Sequence, residues 1–418
     1  MVRNNYLATI LFCAVILSTP IQWQRIVNIG GLSLASFHIF SFLFCFSIFL
    51  NKKILRSIKL SQIIIICSAL FYYLLLLLFI ASVFVDGHYD FRDLIRQIFY
   101  IVTSLSVGFY LSATKFHFRN VNMVLFTISL APFLLIFLMW LAISEAKDPM
   151  DTLVMAISGK DPDLLIRQIF GAAIRSGEEN LNSVQASLRH QISGAILAVL
   201  FFNIAIFIAN YDLLIRSSKL FFFASVFLSV IVIAASMSRS IILAGIVAYI
   251  VHLVFTIKFK ARFLLYIMAV SICGIFVLFG PIGEMLYTRI LGNTTSYSVR
   301  IDNTSSAFQS IENNIIFGML SKAESSHNLI IDFWMVFGIF GLISSAFLIG
   351  SLVIRSYVVG FIGYQSHSAI LKLGCIAVNL PLIRWMTASR GQLSFPEWLC
   401  IGLVLACIML NERSNRCV

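Results

Sequence analysis

Lys322-Ala-Glu-Ser-Ser-His327-Asn328-Leu329-Ile-Ile-Asp-Phe-Trp-Met-Val-Phe-Gly338-Ile-Phe-Gly341-Leu342 is the stretch whose reading decides the fold. A polar, charged segment ends at Asn328 and a long apolar one begins at Leu329. An apolar run of that length reads as a membrane helix, which puts His327 where the span meets water. A histidine there can take and give a proton near neutral pH. Asn328 is placed to cap the following helix, its side-chain oxygen accepting from an orphan backbone N–H. Gly338 and Gly341 permit close helix contact. The plainer alternative is an interfacial histidine that only wets a helix end, and this segment alone favours it. The rest of the chain reverses that preference.

Hydrophobic residues make up 60% of the 418 residues and charged ones 11%, with a mean hydropathy of +0.96. Soluble domains are nearer half apolar and about a quarter charged. The composition predicts an all-α polytopic integral membrane protein. Lipid leaves no partner for free backbone groups, and the apolar runs lack the period-2 alternation of a barrel, so helices are selected. The net charge of +12 fits lysine and arginine in cytoplasmic loops better than nucleic-acid binding. Of the eight cysteines, Cys13, Cys45, Cys67, Cys273, Cys375, Cys400 and Cys407 lie in apolar runs and Cys417 in the tail. Disulfides are not expected, and no spacing points to a metal.

Outward from the opening stretch, the apolar runs arrange as about twelve spans with both termini inside. Tyr6–Ile21 leaves and Leu32–Leu50 returns to Lys52, Lys53, Arg56 and Lys59. Tyr6–Ile21 has the look of a secretory h-region, but no convincing cleavage site follows, so it reads as an anchor. Ser61–Val85 leads to the outer loop Asp86–Gln97, and Ile98–Ala113 returns to Lys115 and Arg119. Val121–Ile143 leads to the first long outer loop, 144–191. Ile192–Ala209, Leu220–Ala235, Ile241–Ile257 and Phe263–Ile282 follow, and the last reaches the second long loop, 283–328. Leu329–Ile354, Ala369–Trp385 and Pro396–Leu410 complete the set. Basic residues fall on the assigned cytoplasmic side at every turn, and Asp212 and Glu412 are its only acids. The chain reads as a single transmembrane domain, 1–418, without internal repeats.

Arginine should be scarce outside. Yet Arg92, Arg96, Arg167, Arg175, Arg189, Arg239, Arg289, Arg300, Arg384 and Arg390 are all placed there. The guanidinium fork suits phosphate and carboxylate. Arg239 is the sharpest case, in a hairpin with almost no loop, surrounded by Ser236, Ser238 and Ser240. An ionisable group at membrane depth usually faces a polar cavity or partner; otherwise it snorkels to the headgroups. Arg300 reads as a loop arginine beside Asp302, where a surface pair is worth little. Arg167 and Arg175 are spaced to share one face if their segment is helical.

In order, Ser236–Leu243 (S-x-S-R-S-x-x-L), Ser298–Arg300 (S-x-R), Asn314–Gly318 (N-x-x-x-G) and His327–Leu342 (H-N, then G-x-x-G-L) resemble the O-antigen polymerase and ligase superfamily. Arg175–Asn182 looks like that family's R-x-G-x-x-x-x-N segment. The resemblance covers roughly Arg167 to Leu342; the first third agrees only in hydropathy. Ile315 stands where the family often has proline.

The resemblance implies a glycosyltransferase at the outer leaflet of a bacterial inner membrane, acting on an undecaprenyl-diphosphate-linked glycan donor and a glycan acceptor. His327, Arg239 and Arg300 are then the catalytic residues. Arg175, Arg167, Asn328 and Ser238 bind the diphosphate or glycan. Arginines would stabilise the leaving diphosphate, and His327 would take the proton of the attacking hydroxyl in one inverting displacement. No Asp-x-Asp pair in a polar loop offers a metal site, so the expectation is metal-independent chemistry with no cofactor. Membrane lipids, a chain-length regulator and a flippase are the expected partners, and nucleic acid is not. Polymerase is favoured over ligase because the two long loops are similar in length, whereas ligases tend to enlarge the second. A transporter or flippase of an anionic lipid-linked glycan is the reading from another class. The long outer loops and the absence of an inverted repeat oppose it.

Overall fold

The computed structural model describes residues 3–19, 27–29, 32–34, 36–51, 70, 74, 91–114, 123–124, 126–134, 197, 199–200, 203, 220–221, 223–230, 239–256, 294–319, 326, 328–365, 369–387 and 395–414. These are almost wholly helical. Helix α1 is Arg3–Ser18, and a short antiparallel hairpin of β1 (Val27–Ile29) and β2 (Leu32–Leu34) leads to α2, Ser36–Leu50. Then come α3 (Phe91–Thr114), α4 (Arg239–Thr256), α5 (Thr294–Asn313), α6 (Leu329–Phe337), α7 (Ile339–Gln365), α8 (Ala369–Ala377), α9 (Asn379–Thr387) and α10 (Phe395–Ser414).

Several expected boundaries change. The second span starts at Ser36 rather than Leu32, because Leu32–Leu34 is taken by the hairpin. Helix α3 begins at Phe91, so much of the expected outer loop Asp86–Gln97 is helical. The second long loop contains α5, and Arg300 therefore stands on a helix rather than in a loop. The run Leu329–Ile354 is broken at Gly338, and Ala369–Trp385 at Val378. The second break has a local cause. Pro381, in the first turn of α9, offers no N–H to the carbonyl four residues back. The Asn379 side-chain amide takes over two nearby carbonyls, donating to Cys375 O (2.7 Å) and Ile376 O (3.1 Å).

Among the described residues, α7 alone is long and apolar enough to cross a membrane; Tyr6–Ser18, Ser36–Leu50, Leu243–Phe255 and Phe395–Asn411 are shorter apolar helices. Side-chain contacts fix how the helices run. Phe37 lies against Phe99 and Tyr100, and Phe44 against Tyr110, so α2 and α3 are parallel. Trp398 Nε1 donates to Gln97 Oε1 (2.9 Å), while further along Gly108 faces Leu405 and Met409, so α3 and α10 are parallel too. Gly363 faces Leu371 and Gly360 faces Cys375, which makes α7 and α8 antiparallel. Gly374 faces Cys407 and Trp385 meets Trp398, so the α8–α9 pair runs antiparallel to α10. His252 Nδ1 lies 2.6 Å from the Tyr364 hydroxyl, joining the C-terminal parts of α4 and α7, and α4 packs along α8 and α9. Thus α2, α3, α4, α7 and α10 share one direction, and α8–α9 take the other.

The core centres on α10, where Trp398 through Ile401 are fully buried. Pro396 and Glu397 occupy its first turn, where a missing N–H is harmless and a carboxylate is favoured. Glycine lets α10 approach α3: a side chain at Gly402 would run into the Ser104 carbonyl and Val107. The outward faces are apolar as well. Phe42, Phe46 and Phe49 of α2 and Phe223 and Phe227 are exposed. Cys13, Cys45, Cys375, Cys400 and Cys407 are buried thiols.

Candidate functional site

The site is built around the start of α6. Asn328 is its N-cap in an extended conformation, with Oδ1 accepting from Ile330 N (3.0 Å) and Ile331 N (3.4 Å). Two of the four orphan N–H groups of the helix are satisfied this way. Four residues on, Asp332 is buried and its Oδ1 accepts from both the backbone N–H and the hydroxyl of Ser326, each at 2.7 Å. The Asn328 N–H in turn donates to Ser326 Oγ (3.2 Å). Both chain neighbours of His327 are therefore tied to the first turn of α6. A carboxylate in that turn is also favoured by the helix dipole.

A second lock holds α6 to the preceding helix. Gly318 and Gly338 both adopt left-handed φ values, 71° and 61°. Met319 N donates to Met335 O (2.9 Å) and Ile339 N to Ile316 O (3.2 Å), so the two glycine segments lie backbone to backbone. A Cβ on Gly338 would overlap the Ile316 carbonyl, and one on Gly318 would overlap the Val336 carbonyl. Ala307 and Ile311 of α5 pack on Met335 beneath. Gly338 thus serves a loop–helix crossing rather than the helix–helix contact expected of it. Gly338→Ala combines a disfavoured φ with a backbone overlap. It is expected to cost about 1–3 kcal/mol, the range for forced overpacking, read as a lower melting temperature of the detergent-purified chain; an unchanged melting temperature would contradict the crossing.

The sequence-predicted residues fall as follows. Asn328 caps α6, so a glycan contact through its side chain would come from the amide nitrogen. Arg239 is the first residue of α4, and Arg300 stands within α5. His327, Ser238, Arg167 and Arg175 lie outside the described residues. Helix α5 packs on α6, α6 touches α9, and α9 lies along α4. Because His252 near the other end of α4 meets Tyr364, the Arg239 end of α4 points toward the Arg384 end of α9.

Arg384 itself has a different role from the outer arginines it was grouped with. Its Nε donates to Glu397 Oε1 (2.9 Å); Arg384 is 25% exposed and Glu397 0%. Glu397 lies in the first turn of α10 beside Trp398, which bonds Gln97. A buried carboxylate is costly without such a partner, so this arginine holds the bundle end together. Asp332 and Glu397 were missed by the sequence reading. Their signal was available: each is a lone acid inside an apolar run, where an ionisable group needs a partner.

No protein-family model matches the chain, and none of the curated proteins matches it in sequence.

Proposed function

We propose that the chain is a polytopic membrane glycosyltransferase of about twelve spans, with its site on the periplasmic side of a bacterial inner membrane. Its reaction is the polymerisation of undecaprenyl-diphosphate-linked oligosaccharide repeat units. The observation that carries this reading is the meeting of segments quoted for the family resemblance. Asn314–Gly318 is seated on the Gly338 break of His327–Leu342, and the helix bearing Arg300 packs on the same α6. The apolar outward faces and the membrane-length α7 support insertion in lipid.

In this mechanism Arg239 and Arg300, with Arg167 or Arg175, hold the donor diphosphate, and Ser238 adds a hydroxyl contact. His327 accepts the proton of the acceptor sugar hydroxyl. The hydroxyl oxygen bonds to the anomeric carbon as the carbon–oxygen bond to the diphosphate breaks, with inversion. Undecaprenyl diphosphate departs with its added negative charge stabilised by the arginines. The Asp332–Ser326 bracket and the Asn328 cap steady the backbone on either side of His327.

A strain lacking the chain provides the test. Lipopolysaccharide carrying a single repeat unit is expected. Lipopolysaccharide with no unit, and lipid-linked polymer accumulating, would make the chain the O-antigen ligase that uses lipid A–core as acceptor. Loss of units from the periplasmic face altogether would favour a flippase.

A further inference from the structure

The turn after α5 carries Ile315, Ile316 and Phe317, which are 52%, 56% and 73% exposed. Three consecutive large apolar side chains turned outward form a patch that water disfavours. The helix before it has the opposite character. Asp302, Ser305, Ser306, Gln309 and Asn313 recur at helical spacing and are exposed, so the outer face of α5 is mainly polar, interrupted by the exposed Phe308. The apolar tripeptide is thus a local feature.

Its level in the fold is set by backbone bonds. Gly318 N donates to Asn314 O (3.0 Å) and closes the turn, and Ile339 N donates to Ile316 O (3.2 Å). Ile339 is the first residue of α7. From there Phe340, Ile343, Phe347, Ile354, Val358 and Phe361 are exposed at intervals of one or two helical turns, one apolar stripe along the membrane-length helix. The turn is bonded to the top of that stripe.

We propose that Ile315–Phe317 is a wedge inserted among the acyl chains of the outer leaflet, anchoring α5 and the start of α6 at the membrane surface. The occupant is bilayer lipid, because the patch is continuous with an apolar stripe running along the membrane-length helix α7. This rests on the membrane reading above. It goes beyond it by assigning the 283–328 segment a lipid contact and not only a periplasmic exposure. The consequence for the proposed reaction is positional: a lipid-linked donor has its diphosphate at the headgroup level, and the wedge sets α5 and α6 at that depth.

The test places a nitroxide amino acid, by codon suppression so that the native cysteines stay, at positions 317, 343 and 309 in turn, in the full chain reconstituted into phospholipid nanodiscs. Collision rates with oxygen, which concentrates in lipid, and with a water-soluble nickel chelate are then compared. Labels at 317 and 343 are expected to favour oxygen by several-fold over the label at 309, which should favour the nickel chelate. Position 343 in lipid but 317 as open to nickel as 309 would overturn the wedge and leave the membrane reading standing. Position 343 open to nickel would remove both. Spin–spin broadening at 317 that disappears on dilution with unlabelled chain would show a second copy on the patch, and would also overturn the proposal.

Discussion

Arg239→Ala is expected to lower glycan transfer by roughly 30- to 1000-fold, corresponding to about 2–4 kcal/mol of transition-state stabilisation from a charge-assisted bond. The motivation is an arginine at the first residue of an apolar helix, which the proposed topology puts on the side where positive charge should be rare. Arg239→Lys retains the charge but offers a point donor in place of a planar fork, so it should lose much of the activity as well. His327→Ala should be comparably inactive for a different reason, because the acceptor hydroxyl keeps its proton. The two variants separate in binding. Donor affinity should weaken in Arg239→Ala and survive in His327→Ala, measured with a lipid diphosphate on purified protein that still inserts and folds. Normal transfer by Arg239→Ala, or donor binding lost only in His327→Ala, would overturn this division of roles.

Arg384→Ala is expected to be the most destabilising single change at the bundle end. It removes the Arg384 Nε donor, at 2.9 Å, from the fully buried Glu397 carboxylate. Breaking a buried pair by removing one member costs about 3–5 kcal/mol, with the lower end apt here because Arg384 is a quarter exposed. Replacing both members by apolar groups of similar size is often neutral. Arg384→Met combined with Glu397→Leu should therefore recover most of the melting temperature lost in Arg384→Ala. The recovered double variant should also retain transfer, since the proposed donor site does not draw on Arg384. A single variant that melts like the parent would show that the pair does not hold the bundle. A stable double variant without transfer would return Arg384 to the donor site.

Much of the frame was legible in the sequence. The helical class follows from apolar runs without period-2 alternation, and five of the runs read as sharing one direction carry helices that are parallel. Leu32–Leu50, Ile98–Ala113, Ile241–Ile257, Leu329–Ile354 and Pro396–Leu410 were all expected to run inward, and the helices over them are parallel. The cap at Asn328 was legible because an N-cap acts on N–H groups only two and three residues away. The break at Val378 could have been read from Pro381. The break at Gly338 could not, because a glycine before more apolar residues also suits a continuous helix.

What the sequence by itself determined is therefore local or statistical: helix type, direction, and the side on which Arg239, Arg300 and His327 are expected. Those follow from the length of apolar runs and the sorting of charges around them, which need no knowledge of neighbours. The tertiary structure alone decided the partners. It put Gly338 against Ile316, gave Arg384 to Glu397, and joined Gln97 to Trp398 across 301 residues. It also made α10 the centre of the bundle. Each depends on which helices lie side by side, and among apolar helices that choice is made by close fit and by the few buried polar groups that must find one another.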